Sequence, residues 1–571
     1  MEYHSQTRPT LRLREPETVM RLARLGSFHQ CRLSFMRVLL RRLAGEAWRF
    51  SRPVFEIDQQ GIGHAVYTAT GPERSYSLVA FAHDLPADQR SDRVIAEAWD
   101  ATFALFDGVP QPEDIERLSQ NVPLQEAGRV SERELSLSRA NRSVRLWSHV
   151  VETLATGRQP DAAEIDAVGY LMRTTAVYGS GKFGAADREM IATRPEFAGP
   201  FQVEMLAVFL IRAFVRDLVE HMAAARAPDT AVPLDDALAR RVGIGNSTGL
   251  GMAPFLVNHP ILLNNWIAAR EEALARVRAV ACAAPQEAAL FRDLLARSGA
   301  MVAVWCSDHP TQQRKLTDLR ADLQALDAHL VDFDFTAAAP WDRLYDWAEG
   351  TLSPEGQELL ASLLLEPYSA LVDDLAAGMA EPVSETAPGF RIDGTMALGH
   401  IAKLLREIYP WALDTDWTAP ENQARAWYVS EEKLEPRLGE RFEEPIADYE
   451  QPLAPGRDAA ALAAALTAWP KETPVAKFLL RHPEHRHTVR RVQLVAQAPY
   501  AEIRDNTIGY DLMPIDMLRC KLSFFGAQHF DPRSDRWVRI CMYRGAPYPH
   551  EMAAHDDFWI YADGGHELLA Q

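Results

Sequence analysis

"RPVFEIDQQGIGHAVYTATGPERSYSLVAFAH", residues 52–83, contains three strand-like runs separated by two short turns. The runs RPVFEID, GHAVYTAT and YSLVAFAH either alternate or run apolar, and they are rich in the residues that favour extended backbone. The separators QQGI and GPERS contain the glycine, proline and serine that are typical of turns. We therefore expect a small antiparallel meander that extends to about residue 110.

Beyond the meander, the apolar residues recur with a helical period. Three long helices are predicted, over residues 131–157, 161–179 and 199–227. The third helix is apolar almost all round, which is typical of a helix buried at the centre of a protein.

The C-terminal part combines helices with three more strand-like segments, residues 488–503, 521–530 and 536–545. The predicted fold is therefore α+β and predominantly α-helical. We expect three parts: an N-terminal α+β region with antiparallel strands over 1–125, a helical domain with both glycine-rich segments over 126–383, and a C-terminal α+β region over 384–571.

Composition excludes several classes of protein. Apolar residues make up 47% and charged residues 24%, as in ordinary globular proteins, and the formal charge of −19 argues against a nucleic-acid partner. No run of about 18 apolar residues occurs, so we expect no membrane span. The five scattered cysteines contain no CxxC pair and favour reduced thiols in the cytoplasm.

Two glycine-rich segments in the middle of the chain are the candidate site. RTTAVYGSGKFGAADR, residues 173–188, and RVGIGNSTGLGMAPFLVNHP, residues 241–260, are interpreted as loops between helices that carry hydroxyl, amide and cationic groups. Backbone N–H groups in such loops can converge on an anion, as can the start of a following helix. We expect both loops to face one cavity. The candidate substrate-binding residues are Arg173, Thr174, Lys182, Arg188, Asn246, Thr248 and Asn258, and the candidate catalytic residues are Tyr178, Ser247 and His259.

Three known motifs resemble parts of these loops but lack the context that each motif needs. A P-loop requires a preceding strand and a hydroxyl residue where Phe183 stands, whereas a helix is predicted before the loop. Tyr178 and Lys182 have the spacing of the Y-x-x-x-K pair of short-chain dehydrogenases, but two glycines between them disfavour a shared helix. Ser247 fits the G-x-S-x-G nucleophile elbow, which needs a strand in a largely parallel sheet.

The stretch GLGMAPFLVNHPILLNNWIAAREEAL, residues 249–274, is similar to the glycine-led helix of β-hydroxyacid dehydrogenases, G-x-G-x-x-x-K-x-x-N. Asn258 falls on the asparagine of that motif, but Phe255 occupies the place of its catalytic lysine. The resemblance covers about 25 residues and does not carry the activity over. No G-x-G-x-x-G is expected to follow a strand, so we predict no tight nicotinamide or flavin binding.

Pro260 is expected to interrupt the helix that follows the second loop. A proline inside a helix removes one backbone hydrogen bond and pushes the preceding residue from helical geometry. Asn258 and His259 would then lie at a kink, where a polar pair suits a pocket.

RHPEHRH supplies a histidine cluster, His482, His485 and His487, at a spacing that could ligate a metal. The alternative is a solvated turn in a segment rich in arginine. We predict that activity survives chelation, although the sequence does not exclude a metal.

The predicted function is a cytoplasmic enzyme, a lyase or a hydrolase, that acts on a small carboxylate or phosphate metabolite. Arg173 and Lys182 would bind the anion, loop amides would stabilise developing negative charge, and His259 or Tyr178 would move the proton. No nucleotide cofactor, nucleic acid or membrane is expected as a partner, and a homo-oligomer is possible. The alternatives are a non-catalytic binding or assembly protein whose loops only close helix packing, and a metal-dependent enzyme that uses the C-terminal histidines.

Overall fold

The fold is α+β with a large helical content. The computed structural model describes residues 11–84, 100–124, 128–142, 145–174, 191, 194–249, 260–307, 310–380, 391–419, 428–430, 433–437, 455–505, 519–528, 530–531, 537–554 and 557–561. No helix in these ranges combines the length and the apolar character that a bilayer crossing requires.

A nine-stranded mixed sheet organises the chain. Its strands are β1 Arg49–Ile57, β2 Gly63–Thr70, β3 Ser75–Ala82, β4 Ala101–Asp107, β5 Glu134–Asn141, β6 Tyr170–Thr174, β7 Gly243–Gly249, β10 Phe530–Asp531 and β11 Trp537–Met542. The order is β1-β2-β3-β4-β5-β6-β7-β11-β10, and β6 and β7 form its parallel pair. The antiparallel meander β1–β4 is confirmed. A separate hairpin pairs β8 Tyr428–Ser430 with β9 Lys433–Arg437.

The described α-helices pack around this sheet and beyond it. They are Pro16–Val19, Phe35–Gly45, Pro112–Asn121, Arg145–Ala155, Ala162–Val168, Gln202–Arg226, Asp236–Arg240, Pro260–Arg278, Pro285–Val304, Pro310–Leu330, Pro340–Thr351, Pro354–Leu364, Ser369–Val372, Leu398–Ile408, Pro410–Asp414, Pro455–Leu466, Val475–Leu479 and Arg486–Gln497. Gln202–Arg226, the central helix, is almost entirely buried along its first four turns, so the prediction of a central buried helix is confirmed.

Each face of the sheet has its own apolar core. Successive side chains of a strand point to opposite faces, so Leu78 of β3 joins the main core together with the central helix, while Val79 joins a smaller core with Leu118. We call these two sides the main-core face and the small-core face. A further core is formed by helices between Leu398 and Ala501.

Two of the predicted helices are wrong in part, because strands precede or follow them. The segment predicted as one helix over 131–157 contains β5 and then Arg145–Ala155. The alternation of Leu135 and Leu137 with Ser136 and Ser138 is typical of a strand, and the helix prediction overlooked it. The helix predicted over 161–179 ends at Val168, because Gly169 adopts a left-handed conformation, φ 78°, that turns the chain into β6.

The second glycine-rich segment is also different from its prediction. Residues 243–249 form strand β7 instead of a loop, and β7 pairs with both β6 and β11. Glycine is required at Gly245, where a Cβ atom would lie 2.5 Å from the ring of Tyr170. The described part of the following helix begins at Pro260. Residues 250–259 lie outside the described residues, so the interior position of Pro260 stays a prediction.

Of the three predicted C-terminal strands, one is confirmed. Trp537–Met542 is β11. Arg486–Gln497 is an amphipathic helix, because its apolar residues Val489, Val492 and Val495 recur every three positions and are buried together. Lys521–Phe525 is a π-helical turn, buried throughout.

Candidate functional site

Polar residues collect at one end of the sheet, where β3, β5 and β6 end and β4 begins. The register pairs Ala82 with Ala101, Ala101 with Ala140, and Ala140 with Thr174, so these strand ends are direct neighbours. We call this the polar end of the sheet. Arg173 and Thr174, the first two residues of the first glycine-rich segment, lie here at the end of β6.

Five polar side chains form a row across the small-core face at this end. Arg139 and Asn141 follow Leu137 at alternate positions of β5, so they share its face. Thr102 pairs with Arg139, and Arg173 pairs with Asn141. We define the polar row as His83, Thr102, Arg139, Asn141 and Arg173. Arg139 and Arg173 are half-buried diagonal neighbours, at about 7 to 8 Å between Cα atoms.

His83 forms one end of the polar row. Its Nε2 lies 3.2 Å from Thr102 Oγ1, and its buried Nδ1 has no hydrogen-bond partner among the described residues. Burial lowers the pKa of His83 to about 4, against the opposing influence of Asp100, while the charge of Arg142 lowers it further. The imidazole is therefore neutral at pH 7 and able to accept a proton.

We expect His83→Gln to reduce the loss of stability in acid. The pKa of His83 is lower in the folded protein than its usual value of 6.5. The contribution of the neutral imidazole to the free energy of unfolding is therefore complete above pH 6.5 and is lost as the pH falls toward 4. Between pH 6.5 and pH 4, the free energy of unfolding of the wild type should fall by up to about 1.4 kcal/mol per pH unit more than that of His83→Gln. Urea unfolding at several pH values measures this, with His400→Gln at an exposed position as control. An unchanged acid slope in His83→Gln would contradict the prediction.

The opposite face of the same sheet end carries a second polar group. Asn246 of β7 is 1% exposed, and its Nδ2 donates a hydrogen bond of 2.9 Å to the carbonyl oxygen of Thr174. Lys521 Nζ donates to Asn246 Oδ1 at 3.1 Å. The amide of Asn246 thus connects the carboxyl end of β6 to a buried amine.

Lys521 is the first residue of the π-helical turn Lys521–Phe525. The side chain is fully buried, and the ring of Phe525 lies 5.8 Å from Nζ. Burial lowers the pKa of Lys521 well below its usual value. π-helical turns often occur at functional sites.

Known proteins give no guide to the chemistry of this site. No family model, curated protein or solved structure matches this chain. Its function must therefore be inferred from its own residues.

The structure brings three of the predicted site residues to the polar end of the sheet. Arg173 and Thr174 are the last two residues of β6, and Asn246 lies beside them on β7. Successive side chains of a strand point to opposite faces, so Arg173 and Thr174 lie on different faces of the sheet. Arg173 belongs to the polar row. Asn246 lies on the opposite face and does not belong to it. Two more candidates, Ser247 and Thr248, also lie on β7. The remaining candidates, Tyr178, Lys182, Arg188, Asn258 and His259, lie outside the described residues.

We predicted no nicotinamide or flavin binding because no G-x-G-x-x-G motif was expected to follow a strand. That premise is wrong. GSGKFG, residues 179–184, has the G-x-G-x-x-G spacing, and the regular structure before it is strand β6 instead of the predicted helix. The segment itself lies outside the described residues. The absence of a nicotinamide or flavin cofactor stays a prediction, without this support.

The three C-terminal histidines contact aromatic, acidic and basic side chains of the same segment. The rings of His482 and His485 stack on Phe478, and His482 Nδ1 lies 3.1 Å from a carboxylate oxygen of Glu484. His487 accepts a hydrogen bond from its neighbour Arg486. Within the described part of the chain, no group of three or more histidine, cysteine, aspartate or glutamate residues is placed to hold a metal ion.

Sequence reasoning missed five residues of this site: His83, Thr102, Arg139, Asn141 and Lys521. One signal was present, because His83 ends the predicted strand YSLVAFAH, in which it shares the face of Phe81. Arg139 and Asn141 could be found only after β5 had been identified as a strand. Lys521 lies 275 positions from Asn246, and nothing local links the two.

Proposed function

We propose that this protein is an enzyme that acts on a small anionic metabolite bound at the polar end of the sheet. One observation carries the proposal: the strand register sets Arg139 and Arg173 on one face, on either side of the β5–β6 pairing. Two arginines whose Cα atoms are diagonal neighbours, about 7 to 8 Å apart, are close enough for both guanidinium groups to hold one carboxylate or phosphate by charge-assisted hydrogen bonds. The amide of Asn141, between them, adds hydrogen-bonding capacity.

The same row offers a group for proton transfer. His83 contacts Thr102, and Thr102 pairs with Arg139, so a metabolite held by the arginines would extend toward a neutral imidazole. We therefore assign proton acceptance to His83 and anion binding to Arg139 and Arg173. A proton acceptor beside an anion site suits a lyase or a hydrolase.

We expect Arg173→Ala to weaken anion binding by about 10- to 100-fold, the effect of losing one hydrogen bond to a charged group. A thermal-shift screen of the full chain over carboxylates, inorganic phosphate and nucleotides would identify a probe, whose Kd is then measured by titration calorimetry. The melting temperature without ligand should be nearly unchanged, because Arg173 is only half-buried.

Arg158→Ala is the matched control, since it removes the same charge from an exposed turn. It should bind the probe as the wild type does. If no anion stabilises the protein, or if Arg173→Ala and Arg139→Ala both bind like the control, the anion site is wrong. The alternative of a non-catalytic assembly protein would then be favoured.

A further inference from the structure

A pocket of about 460 Å³ lies where the chain turns from helix Pro310–Leu330 into helix Pro340–Thr351. It is open to solvent, and its volume is in the range of small-molecule sites. It shares no residue with the polar row. We call it the aromatic pocket, and the side chains with rings or charges that line it are His329, Asp332, Phe333, Asp334, Arg343 and Trp347.

Three half-buried aromatic rings form the apolar part of the aromatic pocket. The rings of His329 and Trp347 stack almost parallel, with their centroids 3.9 Å apart and an angle of 4° between their planes. The ring of Phe333 lies 5.5 Å from that of His329 and also contacts the buried ring of Phe335, at 4.9 Å. Because neighbouring rings hold these side chains in place, a ligand would bind to a surface that is already ordered.

Charged side chains of both signs surround the rings. Asp334 is fixed, because its Oδ1 accepts hydrogen bonds from the backbone N–H and the hydroxyl of Thr336, at 2.8 and 2.7 Å. The guanidinium group of Arg343 lies 5.1 Å from the ring centre of Phe333. Within the part of the chain that the structure describes, the exposed side chains of Asp332 and Arg343 form no ion pair and no hydrogen bond with protein. Their polar atoms are therefore available to a ligand.

The mixture of charges indicates the class of ligand. An anion would meet the carboxylates of Asp332 and Asp334, and a cation would meet Arg343, so neither finds a complementary surface. The imidazole of His329 adds no charge at pH 7, because partial burial and the charge of Arg343 lower its pKa. An apolar ligand would remove water from the charged groups without replacing its hydrogen bonds. A neutral polar ligand can use both kinds of group, since a carboxylate accepts hydrogen bonds and a guanidinium group donates them.

We propose that the aromatic pocket binds a neutral carbohydrate. A sugar ring has C–H bonds on its faces and hydroxyl groups around its edge. The C–H hydrogens carry a slight positive charge and pack against the negative faces of aromatic rings such as Phe333 and Trp347. Each hydroxyl both donates and accepts, so neighbouring hydroxyls can bond to the carboxylate of Asp332 and to the guanidinium group of Arg343. This site does not depend on the function proposed for the polar end of the sheet.

Ligand-observed NMR titration of the full-length protein tests this proposal. The probes are maltose, cellobiose, lactose, xylobiose and diacetylchitobiose, and glucosamine and glucuronate serve as cationic and anionic comparisons. We expect at least one neutral sugar to bind with a Kd of about 1 mM or lower, and neither charged sugar to bind more tightly. The Kd of the neutral sugar should change by less than about 2-fold between about 50 and about 500 mM NaCl, because salt screens only interactions between charges.

Matched variants locate the binding. Trp347→Ala should weaken it at least about 10-fold, the effect of losing a large aromatic contact. Trp469→Ala removes another half-buried tryptophan that contacts a histidine and a phenylalanine, and it should bind the sugar as the wild type does. Asp332→Asn and Arg343→Gln, at exposed positions, should each weaken binding by about 3- to 10-fold, because each loses a hydrogen bond to a charged group.

Several results would overturn the proposal. It is wrong if none of the neutral sugars binds, or if Trp347→Ala binds the sugar as tightly as Trp469→Ala does. If Asp332→Asn and Arg343→Gln change the affinity in opposite directions, or if salt abolishes binding, the ligand is charged and the neutral class is wrong. If Trp347→Ala does not fold, the two exposed substitutions still decide, because a neutral sugar requires that both weaken binding.

Discussion

Replacing Arg14 with methionine is expected to lower the free energy of unfolding by about 3 kcal/mol, the lower end of the range for breaking a buried ion pair. Arg14 Nε lies 2.7 Å from a carboxylate oxygen of Glu271, and Nη1 lies 2.7 Å from one of Glu358. All three side chains are almost completely buried. The substitution would leave two carboxylates in the interior without their main counter-charge. Arg270, 3.0 Å from Glu271, retains part of the compensation, which is why the lower end applies.

Further variants distinguish the loss of the counter-charge of Arg14 from a loss of packing. Arg226→Met removes an arginine whose partner, Glu152, is as exposed as Arg226 itself, at 58%, and should change stability by less than about 0.5 kcal/mol. Adding Glu271→Gln and Glu358→Gln to Arg14→Met should recover part of the loss, because the charges left alone are then removed. Urea unfolding with an unchanged m-value measures each step. If Arg14→Met and Arg226→Met lower the free energy of unfolding equally, the buried ion pairs of Arg14 contribute no more to stability than an exposed ion pair.

The outer strands of the sheet were predictable because each one is defined by nearby residues. Short turns join β1 to β2 and β2 to β3, so local composition is enough to identify these strands. The inner strands depend on distant partners. β7, with three glycines in seven residues, becomes a strand because β6 and β11 both pair with it and because Tyr170 occupies the space above Gly245. A run of glycines by itself predicts a loop, and only tertiary pairing overrides that preference.

The candidate site was predictable in part for a similar reason. Arg173 and Asn246 could be found because each lies within a glycine-rich segment, and such segments are typical of backbone that approaches a ligand. Arg173 of the first segment pairs with Gly245 of the second, whereas the prediction that both segments face one cavity stays a prediction. The faces could not be assigned, because a helix at 161–179 and a strand at β6 direct the same side chains differently. Once β6 is a strand, Arg173 joins Arg139 instead of Asn246.

The central helix and the glycine strand are joined by one buried arginine. Arg212 is 1% exposed, and its Nε donates 2.7 Å to the carbonyl oxygen of Val242, the residue before β7. Its Nη1 donates 2.7 Å to the carbonyl of Ala546, which follows β11, and its guanidinium lies 3.9 Å from the ring centre of Tyr548. The planar guanidinium group reaches both carbonyls at once, which a lysine could not do.

We expect Arg212→Leu to lower the free energy of unfolding by about 3 kcal/mol, because at least two buried carbonyl groups lose their donors and each costs about 1 to 3 kcal/mol. The effect should be local first. Val242 and Ala546 flank the β7–β11 pair, so amide hydrogen exchange should accelerate in those strands before it accelerates in β2 and β3.

Arg212→Lys distinguishes this bridge from a simple need for positive charge. Lysine keeps the charge but can serve only one of the two carbonyls well, so its stability should fall between that of Arg212→Leu and the wild type. If the lysine variant matches the wild type, charge alone is sufficient and the two-carbonyl bridge is wrong. Uniform acceleration of exchange across β2, β3, β7 and β11 would likewise show that Arg212 supports the whole fold. Acceleration confined to β7 and β11 would mean that the strand carrying Asn246 is held in place by the central helix.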